Sequence, residues 1–126
     1  MYSFSTLAEF SRLRAAIKKE LQWTPGEENS GLFIALNEAV NNAICHGNQN
    51  DRAKKVYLTI EKRPDQIKII IRDQGHNHNP ITRSGNSEED LFRETGRGLQ
   101  IIDHYVDKWL FNSNHELTMI KWKRRV

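Results

Sequence analysis

Cysteine is nearly absent: Cys45 is the single one in 126 residues, so no intrachain disulfide can form and the fold has to rest on a packed core. A chain of this length makes one domain and buries about two thirds of the surface its unfolded form exposes. The unpaired thiol suits a reducing compartment, and a cytoplasmic location is expected. Long apolar runs are missing as well. Nothing approaches the roughly 20 consecutive apolar residues that cross a bilayer, so no membrane segment is expected. The opening MYSFSTLAEF lacks the basic and apolar regions of a signal peptide. Excess charge is small, a formal +3 held partly by Lys121, Lys123, Arg124 and Arg125. Aromatic residues are not interleaved with basic ones over any long stretch, so direct nucleic-acid binding is not expected. An anionic nucleotide or an acidic protein surface fits the charge equally well. Internal repeats and low-complexity segments are absent.

What the chain does have is a change of hydrophobic period. Thr6-Leu7-Ala8-Glu9 is a capping-box pattern, and Leu7, Phe10, Leu13, Ile17 and Leu21 follow at helical spacing, which predicts a first helix from about Thr6 to Gln22. Arg12, Arg14, Lys18 and Lys19 give it a basic face, suited to water or to an acidic partner. Thr24-Pro25-Gly26 stops it, and a second helix begins within residues 27–30 and ends near Gly47. From Lys55 the period becomes two. Val56, Leu58 and Ile60, then Ile67, Ile69 and Ile71 after the turn Arg63-Pro64-Asp65-Gln66, predict an antiparallel hairpin with one buried face. Residues 74–95 show no periodicity and read as a long mobile cover, with a short helical turn at 88–93. A helix through Leu99, Ile102 and Val106 follows, then strands at 108–111 and 116–123 around Asn112-Ser113-Asn114-His115.

Three places carry chemistry. In the stretch LFIALNEAVNNAICHGN, Phe33, Leu36, Val40, Ala43 and Gly47 form one stripe, and Glu38 and Asn42 sit one turn apart on the opposite side. Asn37, Asn41 and His46 add more neutral polar groups than a solvated helix needs, since Asn is a poor helix former. Asp73-Gln74-Gly75 delivers a carboxylate at the end of a strand beside a glycine. Gly96-Arg97-Gly98 opens the third helix, where free backbone N–H groups and the helix dipole can receive a phosphate.

In this order the motifs resemble the N, G1 and G2 boxes of the GHKL (Bergerat) ATPase superfamily. Residues 38–47, EAVNNAICHG, resemble the N box of the bacterial anti-sigma-factor serine kinases. The resemblance implies a single histidine-kinase-like ATPase domain over 1–126, an α/β two-layer sandwich with helices on one face of a mixed, mainly antiparallel sheet. Only Tyr2 to Phe4 remain for the N-terminal strand of those kinases. ATP and magnesium are implied between the central helix and the lid at 74–95. Carried over by residue, Asn42 ligates Mg2+ and Glu38 is the catalytic base. Asp73 accepts from the adenine amino group and Gly75 leaves room for the ring. Gly96 and Gly98 wrap the phosphates, Arg93 or Arg97 offsets their charge, and Thr118 lies near adenine. The implied activity is phosphorylation of a serine on an anti-anti-sigma (STAS) protein by an enzyme that also binds a sigma factor and forms a homodimer. Two departures stand out, Asn77 where many superfamily members have a second glycine and Glu94 where some have an arginine that reaches the γ-phosphate; Glu94 and the altered lid favour an alternative, an ATP-binding regulator that acts by sequestering its partner. A separate histidine-kinase catalytic domain is the second alternative, disfavoured by the lack of an upstream phosphoacceptor helix. A basic nucleic-acid-binding domain ranks last because it leaves Glu38, Asn42 and Asp73 unexplained.

Overall fold

In the computed structural model, which describes residues 1–24, 29–75, 83–84, 97–112 and 114–123, helix α1 spans Leu7–Glu20. Its start follows from the capping box. Thr6, in an extended conformation, accepts from the Glu9 N–H at 3.2 Å, and Glu9 Oε1 accepts in return from Thr6 N at 3.2 Å and Ser5 N at 3.0 Å. The Ser5 N–H, more than any other neighbour, draws the Glu9 carboxyl below its ordinary value. Thr6→Ala should therefore cost about 1 kcal/mol of stability, read as a lower urea midpoint with an unchanged slope. Phe10, Ile17 and Leu21 are buried, whereas Leu7, at the head of the expected apolar series, is 44% exposed, so the stripe engages the core only from Phe10 onward.

Helix α2 spans Ser30–Asn42. Its buried face is wider than the expected stripe, because Leu32, Ala35 and Ala39 are covered along with Leu36 and Val40. Phe33 is only half-buried, its ring covered by the Lys18 ammonium at 4.8 Å and the Arg14 guanidinium at 5.7 Å. Beyond Asn42 the chain does not stop but widens into a π-helical turn, Ala43–Gly47, closed by Asn48 N–H donating to Ala43 O at 2.8 Å. Such turns re-aim the groups that follow them.

The strands are β1 Tyr2–Phe4, β2 Val56–Lys62, β3 Gln66–Arg72, β4 Arg83–Ser84, β5 Lys108–Phe111 and β6 Glu116–Trp122. They form one sheet in the order β1-β2-β3-β6-β5-β4, and every described pairing is antiparallel, in line with the mainly antiparallel sheet expected. Of the two edge strands, the first is the short one left for Tyr2 to Phe4 and the second differs from the sequence reading. Tyr2–Phe4 is a real strand on β2, and part of the segment expected to lack structure pairs with β5 as β4. Helix α3 spans Arg97–Tyr105. The register puts Ile69 opposite Met119 and Ile71 opposite Leu117, all buried with Val56, Leu58 and Ile67 in one cluster with the helix residues. The helices thus cover that face, and Trp109 Nε1 donating to Asp103 Oδ1 at 2.8 Å ties α3 to β5.

Candidate active site

The alternation of β3 runs one residue past the strand, so Asp73 falls on the same face as Ile69 and Ile71 and is 8% exposed. Oδ1 accepts from the Gly75 N–H at 2.9 Å and lies 3.2 Å from His115 Nδ1, and the Asp73 N–H donates to His115 O at 3.1 Å. Two glycines close the recess. A Cβ on Gly47 would stand 2.2 Å from Asp73 Oδ2, and one on Gly75 would stand 2.3 Å from Gly47 O. The π-turn therefore rests directly on the carboxylate, which only a residue without a side chain permits. Beside it Asn48, 1% exposed, accepts from the Gln74 N–H at 2.7 Å and donates to Lys55 O at 3.1 Å, while Lys55 N–H donates to Gln74 Oε1 at 2.7 Å. These bonds lace the end of α2, the entry to β2 and the exit from β3 into one wall.

Burial pushes the Asp73 carboxyl above its ordinary value, against the opposing pull of the Gly75 N–H, His115 and Lys54. A raised folded value means the native state keeps a proton that the unfolded chain has already lost. The stability Asp73 contributes is thus full below the ordinary aspartate range and is lost as pH rises through the folded value. Asp73→Asn keeps an Oδ1 acceptor and never ionises, so it should melt at the same or a higher temperature than wild type at pH 7. The gap should close as pH falls toward about 4, in thermal melts across pH.

Glu38 and Asn42 are half-buried at the border of the covered face of α2, not opposite it, because Ala35 and Ala39 carry that face round toward them. Gly31, Ala35, Glu38 and Asn42 lie on one stripe of the helix. At its start a Cβ on Gly31 would be 2.7 Å from Tyr105 Cδ1, so α3 comes in close there with its last residue. The two helices make the most extensive helix–helix contact of the described fold. A helix only about 13 Å long can do so from that point only by running antiparallel. The N-terminus of α3, with the Gly98 backbone in its first turn, therefore lies toward Glu38 and Asn42. Among the described residues no hydrogen bond occupies the Glu38 carboxylate or the Asn42 amide, whereas Asn41 Oδ1 accepts from Cys45 Sγ at 3.3 Å.

Asp73 and Gly75 thus meet the π-turn that continues α2 beyond Asn42, and the Gly98 backbone lies in the first turn of α3, which packs on α2. Arg93, Glu94, Gly96, Asn77 and the turn expected at 88–93 lie outside the described residues, and Arg97 is described as backbone only. Thr118 requires correction. It pairs with Ile70 while its neighbours Leu117 and Met119 point to the helices, so its side chain emerges on the face of the sheet away from Asp73. His115, three residues earlier, is the residue that meets Asp73. The sequence reading also passed over Asn48, and it took Gly47 only as a helix end.

A family model described as a histidine kinase-like ATPase domain matches residues 5–122. The chain is 32% identical over 114 residues to the anti-sigma F factor of Shouchella clausii (strain KSM-K16), covering 84% of this chain and 77% of that protein. It is 33% identical over 102 residues to the serine-protein kinase RsbW of Staphylococcus epidermidis, covering 73% of this chain and 64% of that protein. To the anti-sigma F factor of Bacillus subtilis (strain 168) it is 27% identical over 97 residues, 72% of this chain and 64% of that protein. On these matches the chain belongs to the histidine kinase-like ATPase domain family, in the group that holds the anti-sigma F factors.

Proposed function

We propose that this chain is an ATP-dependent protein serine kinase that acts as an anti-sigma, partner-switching regulator. It phosphorylates a serine of an anti-anti-sigma (STAS) protein and otherwise sequesters a sigma factor. The observation that carries this reading is the glycine-walled recess at Asp73 on the same side of the sheet as the Glu38–Asn42 stripe, in a chain of this family. A buried carboxylate oxygen suits the amino group of adenine, and the space kept by Gly47 and Gly75 suits a flat ring. The Asn42 amide oxygen is a hard donor of the kind magnesium takes, with phosphates and water supplying the remaining ligands. Bound magnesium supplies positive charge against the transferring phosphates.

The first-turn N–H groups of α3 at Gly98, with Gly96, Arg93 and Arg97, receive the phosphate oxygens. Glu38, about 5–6 Å from Asn42 at Cβ by helix spacing, takes the proton of the substrate serine hydroxyl. The serine oxygen then bonds to the γ-phosphorus as its bond to the β-phosphate oxygen breaks, and ADP leaves. A homodimer and a cytoplasmic location belong to the same proposal. Incubation with a STAS-domain partner and γ-labelled MgATP is expected to label one serine of that partner. Tight ATP binding with no transfer would replace the kinase by the sequestering regulator, and no ATP binding would end both readings.

A further inference from the structure

At φ 58°, His115 occupies backbone space that turns ordinarily give to Gly, Asn or Asp. Histidine takes this conformation more readily than most side chains, and here its ring makes a specific contact: Nδ1 reaches Asp73 Oδ1 at 3.2 Å, beside the Gly75 N–H on the same oxygen at 2.9 Å. The main chain repeats the link, Asp73 N–H donating to His115 O at 3.1 Å. We infer that His115 is a positioning residue, which fixes the plane of the Asp73 carboxylate and thereby the preference for adenine over guanine. This rests on the reading of the recess as the base site.

Carboxylate rotation about its last bond is broad and two-fold, so one unanchored carboxylate offers either oxygen at many tilts. The Gly75 N–H bond and the His115 Nδ1 contact, both on Oδ1, remove that freedom. Oδ2 then stands alone against Gly47, and among the described residues no hydrogen bond reaches it. Adenine brings an N–H donor to such an acceptor, and guanine brings a carbonyl oxygen to the same place. A fixed acceptor rejects the carbonyl, and a carboxylate free to tilt away rejects it less.

The test uses isosteric replacements that both accept a positive φ. His115→Asn puts an N–H donor near the place of Nδ1, and His115→Asp puts a like-charged acceptor there. Dissociation constants for ATP and GTP with magnesium are measured by calorimetry on the full chain, folding being checked by circular dichroism. The Asn variant should stay within about threefold of wild type for ATP and keep the ATP-to-GTP ratio. The Asp variant should weaken ATP binding by about tenfold or more and lower the ratio. Should the Asp variant not fold, His115→Gly against His115→Asn makes the same comparison, since Gly tolerates the backbone and lacks the donor. Wild-type binding of ATP with equal affinities and equal ratios across these variants overturns the role of His115 alone. Failure of the wild type to bind ATP overturns the base-site reading beneath it.

Discussion

Glu38→Gln is expected to bind MgATP as the wild type does and to transfer phosphate about 10²–10⁴ times more slowly. The two side chains have the same shape, and only the glutamate can take a proton at neutral pH. No hydrogen bond among the described residues depends on the Glu38 carboxylate, and the residue is half-buried at the edge of the α2 packing face, so the replacement leaves the fold intact. The loss should therefore fall on kcat with KM for ATP unchanged, the pattern of a group that acts only in the transition state. Steady-state transfer to the STAS partner measures it. A kcat that stays near the wild-type value would remove Glu38 as the base while leaving the nucleotide site standing.

Gly47→Ala should have the largest effect on binding. Its methyl carbon would lie 2.2 Å from Asp73 Oδ2 and 2.4 Å from Cγ, well inside contact distance, so either the carboxylate or the π-turn must move. If Asp73 swings aside it leaves Gly75 N–H and His115. If the turn lifts, Asn48 loses its bonds to Gln74 and Lys55. Overpacking of this kind costs about 1–3 kcal/mol in stability. ATP affinity should fall further, by about 100-fold, because an acceptor moved by 1 Å no longer meets its donor. Gly31→Ala is the control. It collides with the Tyr105 ring at 2.7 Å, at the far end of α2, and should lower the melting temperature with little change in ATP affinity. Equal affinity losses in the two variants would mean that Gly47 acts through general stability and not through Asp73.

Much of this site was legible because it depends on local signals. The Thr6–Glu9 box, the alternation of Val56 to Ile71 and the arrival of Asp73 at the end of a strand each need only a few neighbouring residues. The failures share one physical origin, which is contact between segments distant in sequence. Period two tells which residues of β3 and of β6 share a face, but not that β3 lies beside β6, and so not that His115 rather than Thr118 meets Asp73. The burial of Asn48 depends on Gln74 and Lys55, neither of which marks it in the sequence. The same holds for β4, whose two residues become a strand only because β5 offers an edge. The π-turn, in contrast, is local and still invisible, since Ala-Ile-Cys-His-Gly continues an α-helix as readily as it widens one.

The pairing of β3 with β6 joins Arg72 to Glu116 across a long closed loop, and the Asp73–His115 contact is the next rung beyond that pair. Closing such a loop costs entropy before any burial compensates it, so this rung forms late, with the completed sheet. Partly folded chains without β6 therefore lack the Asp73–His115 contact altogether. On the proposed reading of the recess as the base site, ATP acts on the folding equilibrium from the native side only and is a folding ligand as well as a phosphate donor.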